Sequence, residues 1–73
     1  MKNREFEMEQ KKEMLNTLRE SIVQLARAIG SGDIEQIANA KEIVDRAVRL
    51  CDKNKIKIPK AEKSDINRLF SQS

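Results

Sequence analysis

The segment Gly30-Ser31-Gly32-Asp33 most constrains the fold, because it separates two stretches whose apolar residues recur at helical spacing. Gly30 suits the left-handed residue that ends a helix. Asp33, with Gln36 three residues later, is typical of the capping box that begins the next helix. A turn this short between two amphipathic helices predicts an antiparallel helical hairpin.

Both predicted helices carry a continuous apolar stripe. The first, expected over about residues 4–29, has a seam with alternating steps of three and four, and the second is expected over about residues 33–53. Beside the main stripe of the second helix, Ile43 and Leu50 open another stripe, which one neighbouring helix would not cover. The seam and main stripe include Met8, Leu15, Leu18, Ile22, Leu25 and Ile29 in the first helix, and Ile37 and Val44 in the second.

The length of 73 residues makes self-association an expectation, because a core this small seldom supplies more than about 3–5 kcal/mol. We therefore predict an all-α protein in which two hairpins pair as a homodimer into a four-helix bundle. The predicted oligomer interface is the seam, represented by Leu15, Leu18, Ile22, Leu25, Ile29, Ile37 and Val44.

The C-terminal part, residues 54–73, differs from the hairpin domain of residues 1–53. Isoleucines alternate with charges up to Pro59, which predicts an extended linker. A short helix is expected over about residues 60–70, starting either on Pro59 or with Ser64 as its cap. Its apolar cluster either folds back onto the hairpin or docks another protein, and consists of Ile66, Leu69 and Phe70.

The composition excludes several classes of chemistry. The chain has no histidine and one cysteine, which rules out histidine-based acid–base catalysis and the usual zinc sites. The glycine turn lacks the Lys-Ser/Thr of a phosphate-binding loop. We predict no catalytic residue, no metal and no cofactor. A single cysteine, with no membrane-length apolar run and no signal-like N-terminus, favours the cytoplasm and no membrane association.

Charge is distributed unevenly along the chain. Residues 1–45 hold 7 basic and 9 acidic side chains, a net of −2, whereas residues 46–73 hold 8 and 3, a net of +5. Two interpretations stay open: the cations bind nucleic acid or another phosphorylated ligand, or they only complement a helix dipole and keep the surface solvated. The candidate partner-binding cations are Arg46, Arg49, Lys53, Lys55, Lys57 and Lys60.

Three short motifs resemble the hairpin of the exonuclease VII small subunit: Ile22-Val23, Ser31-Gly32-Asp33 and Val48-Arg49-Leu50. The first two are further apart here, and the glycine expected in the second helix is absent. We interpret the motifs as general features of a short helical hairpin and assign no family.

These features together predict a small non-enzymatic accessory or regulatory protein, such as an inhibitor, an adaptor or a small subunit. It would act through helix-mediated protein–protein contact and self-association, with the basic strip and the C-terminal apolar cluster contacting another protein. The alternative is binding of nucleic acid or a phosphorylated ligand through the basic strip of residues 46–63.

Overall fold

The computed structural model describes the backbone of residues 2–72 and the side chains of residues 8–72. Within residues 2–72 the fold is all-helical, with three helices and no strand: α1 is Lys2–Ser31, α2 is Ile34–Lys53 and α3 is Lys60–Gln72. The first two helices pack along each other, which confirms the predicted hairpin. The molecule measures 48 × 19 × 16 Å. Its length is that of α1, since 30 helical residues span about 45 Å.

Helix α1 ends two residues later than predicted, so the turn before α2 is shorter than expected. Gly32, with φ of 75°, is the left-handed residue, and its N–H donates to the carbonyl oxygens of Ala28 and Ile29 at 3.2 Å each. Gly30 lies inside α1, so the prediction that Gly30 caps this helix is wrong. Both glycines suit the position by residue type, and the hydrogen bonds to the last turn of α1 select Gly32.

The predicted N-cap of α2 is confirmed. Asp33 has extended backbone angles, and its carboxylate accepts hydrogen bonds from the backbone N–H groups of Glu35 at 3.0 Å and Gln36 at 3.4 Å. Its own N–H donates to Ser31 Oγ at 3.4 Å. Ser31 thus supplies the return hydrogen bond that the capping box assigns to the Gln36 side chain.

A lysine occupies the left-handed position that ends α2. Lys55 has φ of 57°, and its N–H donates to the Asp52 carbonyl at 3.0 Å. The N–H of Ile56 donates to the Cys51 carbonyl at 2.8 Å, which completes a Schellman motif. The motif reverses the chain so that the Ile56 side chain returns to the core.

One hydrophobic core joins all three helices and the linker. Its centre has no exposed surface and is formed by Leu18, Leu25, Val44 and Cys51. The linker adds Ile56 and α3 adds Leu69 to the same cluster. Among the described side chains of α1, Met14 is the first that packs against the core, and Met8 is largely exposed. The end of α2 lies beside Met14, since Met14 and Asn54 line the same groove.

The third helix begins directly after Pro59, whose carbonyl oxygen accepts a hydrogen bond from the Lys63 N–H at 3.1 Å. The helix predicted over about residues 60–70 is confirmed, and it begins at Lys60. Pro59 is its N-cap residue and not its first helical residue, and Ser64 lies inside the helix. The helix packs against α1 through Leu69 and through an ion pair between Arg19 Nε and Glu62 Oε1 at 3.3 Å. Its apolar side thus folds back onto the hairpin.

The seam predicted as an oligomer interface lies inside the single chain. Leu18, Leu25 and Val44 have no exposed surface and Ile22 has 7%. These side chains already contact the helices of their own chain, so they offer no surface to a second copy. The remaining predicted interface residues are partly buried against the same core, namely Leu15, Ile29 and Ile37. Periodicity identified the buried side of α1 correctly, and that side packs within the chain.

No helix among residues 2–72 is both long enough and apolar enough to cross a membrane. Because Ile56 and Leu69 share the core of the hairpin, residues 54–73 contribute to its packing. The division into segments 1–53 and 54–73 stays a prediction.

Candidate interaction surfaces

The hairpin has two faces, and α3 covers only one of them. On the other side, a groove of about 480 Å³ runs between α1 and α2 without any contribution from α3. We call this side the open face. The groove is lined by Gln24, Arg27, Ala28, Ser31, Gln36, Asn39, Ala40 and Ile43.

The floor of the open face is built from small side chains. Ala28, Ala40 and Ala47 are all nearly buried, and Ser21, 3% exposed, satisfies its hydroxyl by donating to the Leu18 carbonyl at 2.6 Å. Helical spacing aligns these residues along the junction of α1 and α2. Small residues at such a junction leave room for another helix to approach closely.

Two large apolar side chains border this floor on α2. Ile43 is 45% exposed and Leu50 is 47% exposed, and the seven residues between them are two helical turns. Ala47 lies between them on the same side of the helix. We call Ile43, Ala47 and Leu50 the α2 stripe. Its aliphatic surface is accessible without any rearrangement of the core.

The predicted basic strip divides into two groups. Arg46 and Arg49 form exposed i,i+4 ion pairs, with Glu42 at 3.0 Å and with Asp45 at 3.2 Å. The strip's lysines are exposed and form no ion pair with a residue whose side chain is described; they are Lys53, Lys55, Lys57 and Lys60. The arginines are thus partly neutralised within their own helix, while the lysines keep their charge for other contacts.

Several of these lysines meet at one end of the bundle. Lys55 lines a groove together with Lys11 of α1, and Lys57 lines another together with Arg49 and Lys63. We call Lys11, Lys55, Lys57 and Lys63 the basic end. The positive charge at this end results from folding, because Lys11 is far from the other three in sequence.

The C-terminal apolar cluster is mostly unavailable to a partner. Leu69 is 6% exposed and belongs to the core, which corrects its assignment as a partner-binding residue, and Ile66 is partly buried against the core. Phe70 is 36% exposed, and the Lys41 ammonium lies 5.6 Å from its ring centroid. This cation–π contact ties the end of α3 to α2.

Cys51 is a core residue. Burial raises the pKa of its thiol above the ordinary value, so the side chain stays protonated and apolar at neutral pH. Among the described side chains, no three of the types His, Cys, Asp and Glu gather closely enough to hold a metal ion.

Sequence reasoning missed two features, an ion pair on the side that α3 covers, which we call the closed face, and a buried serine on the open face. The Arg19–Glu62 ion pair joins residues 43 positions apart, and Glu62 is 15% exposed at its side chain with Oε2 lacking a hydrogen-bond partner. Ser21 was not expected in the core, although its spacing from Leu25 and Ala28 places it on the buried side. That spacing was the available signal for Ser21, whereas nothing local indicates that Glu62 meets Arg19.

Comparison of the chain with protein-family models, with curated proteins and with solved structures gives no match in any of the three.

Proposed function

We propose that this protein is a small non-enzymatic accessory protein that acts through helix-mediated protein–protein contact, including self-association, and that the α2 stripe on the open face is its contact surface. The carrying observation is that Ile43 and Leu50 are about half exposed beside a floor of small residues. The proposal places the protein in the cytoplasm, as its single cysteine favours.

Exposure of single aliphatic side chains is ordinary on protein surfaces, so two half-exposed residues alone carry little weight. Their position distinguishes them. They lie on one side of one helix, two turns apart, and Ile43 lines the groove between α1 and α2, whose lining includes the small residues Ala28 and Ala40. An interface needs an apolar centre with a polar rim, and the exposed Glu42–Arg46 and Asp45–Arg49 pairs supply charge on the same helix.

The proposed assembly is again a four-helix arrangement of two hairpins, but the surface through which the hairpins meet differs from the one expected from the sequence. The two long helices of each copy would form the bundle, with the small-residue floors facing each other, and each α3 would remain on the outer side. In this arrangement the seam is the core of each hairpin, and the α2 stripe is the contact between hairpins.

A variant pair tests this contact surface. Leu50→Asp places a charge in the stripe, and Val23→Asp is its matched control because Val23 is 51% exposed and lies beside Arg19, Glu20 and Arg27 on the outer side of α1. Light scattering from tens to hundreds of micromolar should show a dimer for the wild type and for Val23→Asp, and a monomer for Leu50→Asp. Equal masses for all three proteins would contradict the proposed surface.

A second candidate function is binding of a polyanion such as nucleic acid at the basic end, which is favoured by the convergence of Lys11 with Lys55, Lys57 and Lys63. In the double variant Lys55→Glu/Lys57→Glu, affinity for a short duplex should fall, and the wild-type affinity should decrease steeply with salt. A salt-independent affinity, or an unchanged affinity in the double variant, would exclude this function. The absence of aromatic residues from the strip indicates contacts to backbone phosphates.

A further inference from the structure

The charges of α2 divide at the centre of the α2 stripe. Between Ile34 and Asp45 there are three acidic residues and one lysine, a net of −2. From Arg46 to Lys53 there are three basic residues and one aspartate, a net of +2. The boundary lies beside Ala47, midway between Ile43 and Leu50. One helix therefore presents an acidic half and a basic half on either side of a nearly symmetric apolar stripe.

We infer that the occupant of the α2 stripe is a second copy of this chain, docked so that the two α2 helices run antiparallel about a two-fold axis close to Ala47. The inference rests on the proposed function and specifies its partner and geometry. In this arrangement Ile43 of each copy contacts Leu50 of the other, and the two alanines meet at the axis. A two-fold axis requires a self-complementary surface, and the stripe has that property.

The charge pattern selects the antiparallel direction. When Ile43 lies opposite Leu50 of the other copy, Glu42 lies opposite position 51 and so between Arg49 and Lys53 of that copy. Two-fold symmetry repeats this contact on the other side of the axis. A parallel arrangement would instead place acidic half against acidic half and basic half against basic half, which is repulsive.

The small residues of the stripe allow the close approach that the contact needs. Ala47 is 9% exposed and lies in the floor between the two larger side chains. An alanine at a helix crossing permits an interaxial distance at the short end of the usual 8–10 Å. Ile43 and Leu50 then reach past it into the neighbouring copy.

A charge-swap experiment tests the direction of pairing. The variants are Glu42→Lys, Lys53→Glu and the double variant Glu42→Lys/Lys53→Glu, with dimer dissociation constants measured by sedimentation equilibrium. Each single variant should dimerise about tenfold more weakly, since two symmetric contacts become repulsive. The double variant should regain most of the lost affinity, because it exchanges the two charges.

Matched controls separate a local contact from a change of net charge. Glu20→Lys and Lys12→Glu make the same changes in net charge on exposed positions of α1, and their dissociation constants should stay within about twofold of the wild type. Circular dichroism of every variant checks that the helices remain folded. Glu42→Lys also removes the exposed pair with Arg46, which contributes little to folding.

The outcomes distinguish the inference from the proposed function. Restoration in the double variant supports antiparallel pairing. A dimer that the single variants weaken and the double variant does not restore overturns the antiparallel arrangement and leaves self-association intact. A dimer unaffected by Glu42→Lys and Lys53→Glu overturns the inference, and if it persists in Leu50→Asp it also overturns the proposed surface. A wild type that stays monomeric at hundreds of micromolar overturns the inference together with the self-association.

Discussion

The two faces of the hairpin differ in the side chains that cover the junction of α1 and α2. On the closed face, α3 covers the junction of α1 and α2 with Leu69 and adds the Arg19–Glu62 ion pair. On the open face, the same junction is floored by Ser21, Ala28, Ala40 and Ala47. On the closed face, a large side chain of the same chain fills the junction. On the open face, the small side chains leave the junction unfilled. This difference is the basis of the proposal that a partner covers the open face, since α3 covers only the other one.

Truncation of the shared core has the largest expected effect, because it weakens both faces together. Leu25 has no exposed surface and lies at the centre of the core. Leu25→Ala should lower the free energy of unfolding by about 3 kcal/mol through lost transfer free energy and the cavity left behind. Urea denaturation followed by circular dichroism measures this. A loss below about 1 kcal/mol would indicate that the core is not packed as described.

Truncation of Leu69 should weaken the packing of α3 on the closed face and leave the open face unchanged. Leu69→Ala removes the buried anchor of α3, and we expect a loss of about 2 kcal/mol together with faster amide hydrogen exchange in residues 60–72. The control is Phe70→Ala, since Phe70 is more exposed and should have the smaller effect. Equally faster hydrogen exchange in α2 would show that the packing of α3 and the packing of the hairpin are lost together.

A substitution in the turn between α1 and α2 should change the stability of the hairpin without altering either face. Gly32→Ala places a Cβ at φ of 75°, where no atom outside the turn lies within 4 Å, so the cost is backbone conformation alone. We expect a loss of about 1 kcal/mol in the free energy of unfolding. Gly30→Ala is the matched control: Gly30 is helical, so this variant should stabilise the chain slightly. The reverse ranking in thermal melts would place the left-handed residue at Gly30.

The other end of α2 should respond in the opposite direction. Lys55 adopts φ of 57°, which glycine adopts without the steric cost that a lysine has there. Lys55→Gly should raise the free energy of unfolding by about 0.5 kcal/mol. Lys57→Gly, a neighbouring substitution that removes the same charge, is the control and should not stabilise. A loss of stability in Lys55→Gly would contradict the Schellman motif.

The smallest effect on stability is expected on the open face. Leu50→Ser removes a side chain that is about half exposed, so the free energy of unfolding of the monomer should change by less than about 0.5 kcal/mol. The same variant should abolish concentration-dependent association. Chemical denaturation at low micromolar concentration measures the free energy of unfolding of the monomer without a contribution from association. A large loss of monomer stability would mean that Leu50 belongs to the fold and not to a contact surface.

The hairpin was predictable because its signals are local. Asp33 caps α2 through groups two and three residues away, and the seam of α1 repeats every three or four residues. The choice between Gly30 and Gly32 was not predictable, since residue type suits both positions and only the hydrogen bonds from Gly32 to Ala28 and Ile29 decide it.

The candidate site was predictable only in part. Periodicity indicates that Leu18 and Val44 are buried, but it does not indicate which surface buries them. The seam was therefore predicted to be an interface between copies, whereas the structure buries it within one chain. The second stripe of Ile43 and Leu50 was visible in the sequence. Its importance depends on the docking of α3 onto α1, which involves Glu62 and Arg19 at a separation of 43 residues and has no local signal.

Amide chemical shifts at increasing protein concentration report which face of the hairpin becomes covered when copies associate. On raising the concentration from tens to hundreds of micromolar, the account predicts shift changes centred on Ile43, Ala47 and Leu50, with Val23 and Leu69 unaffected. Shift changes centred on α3 or on Val23, or spectra that do not change with concentration, would contradict it.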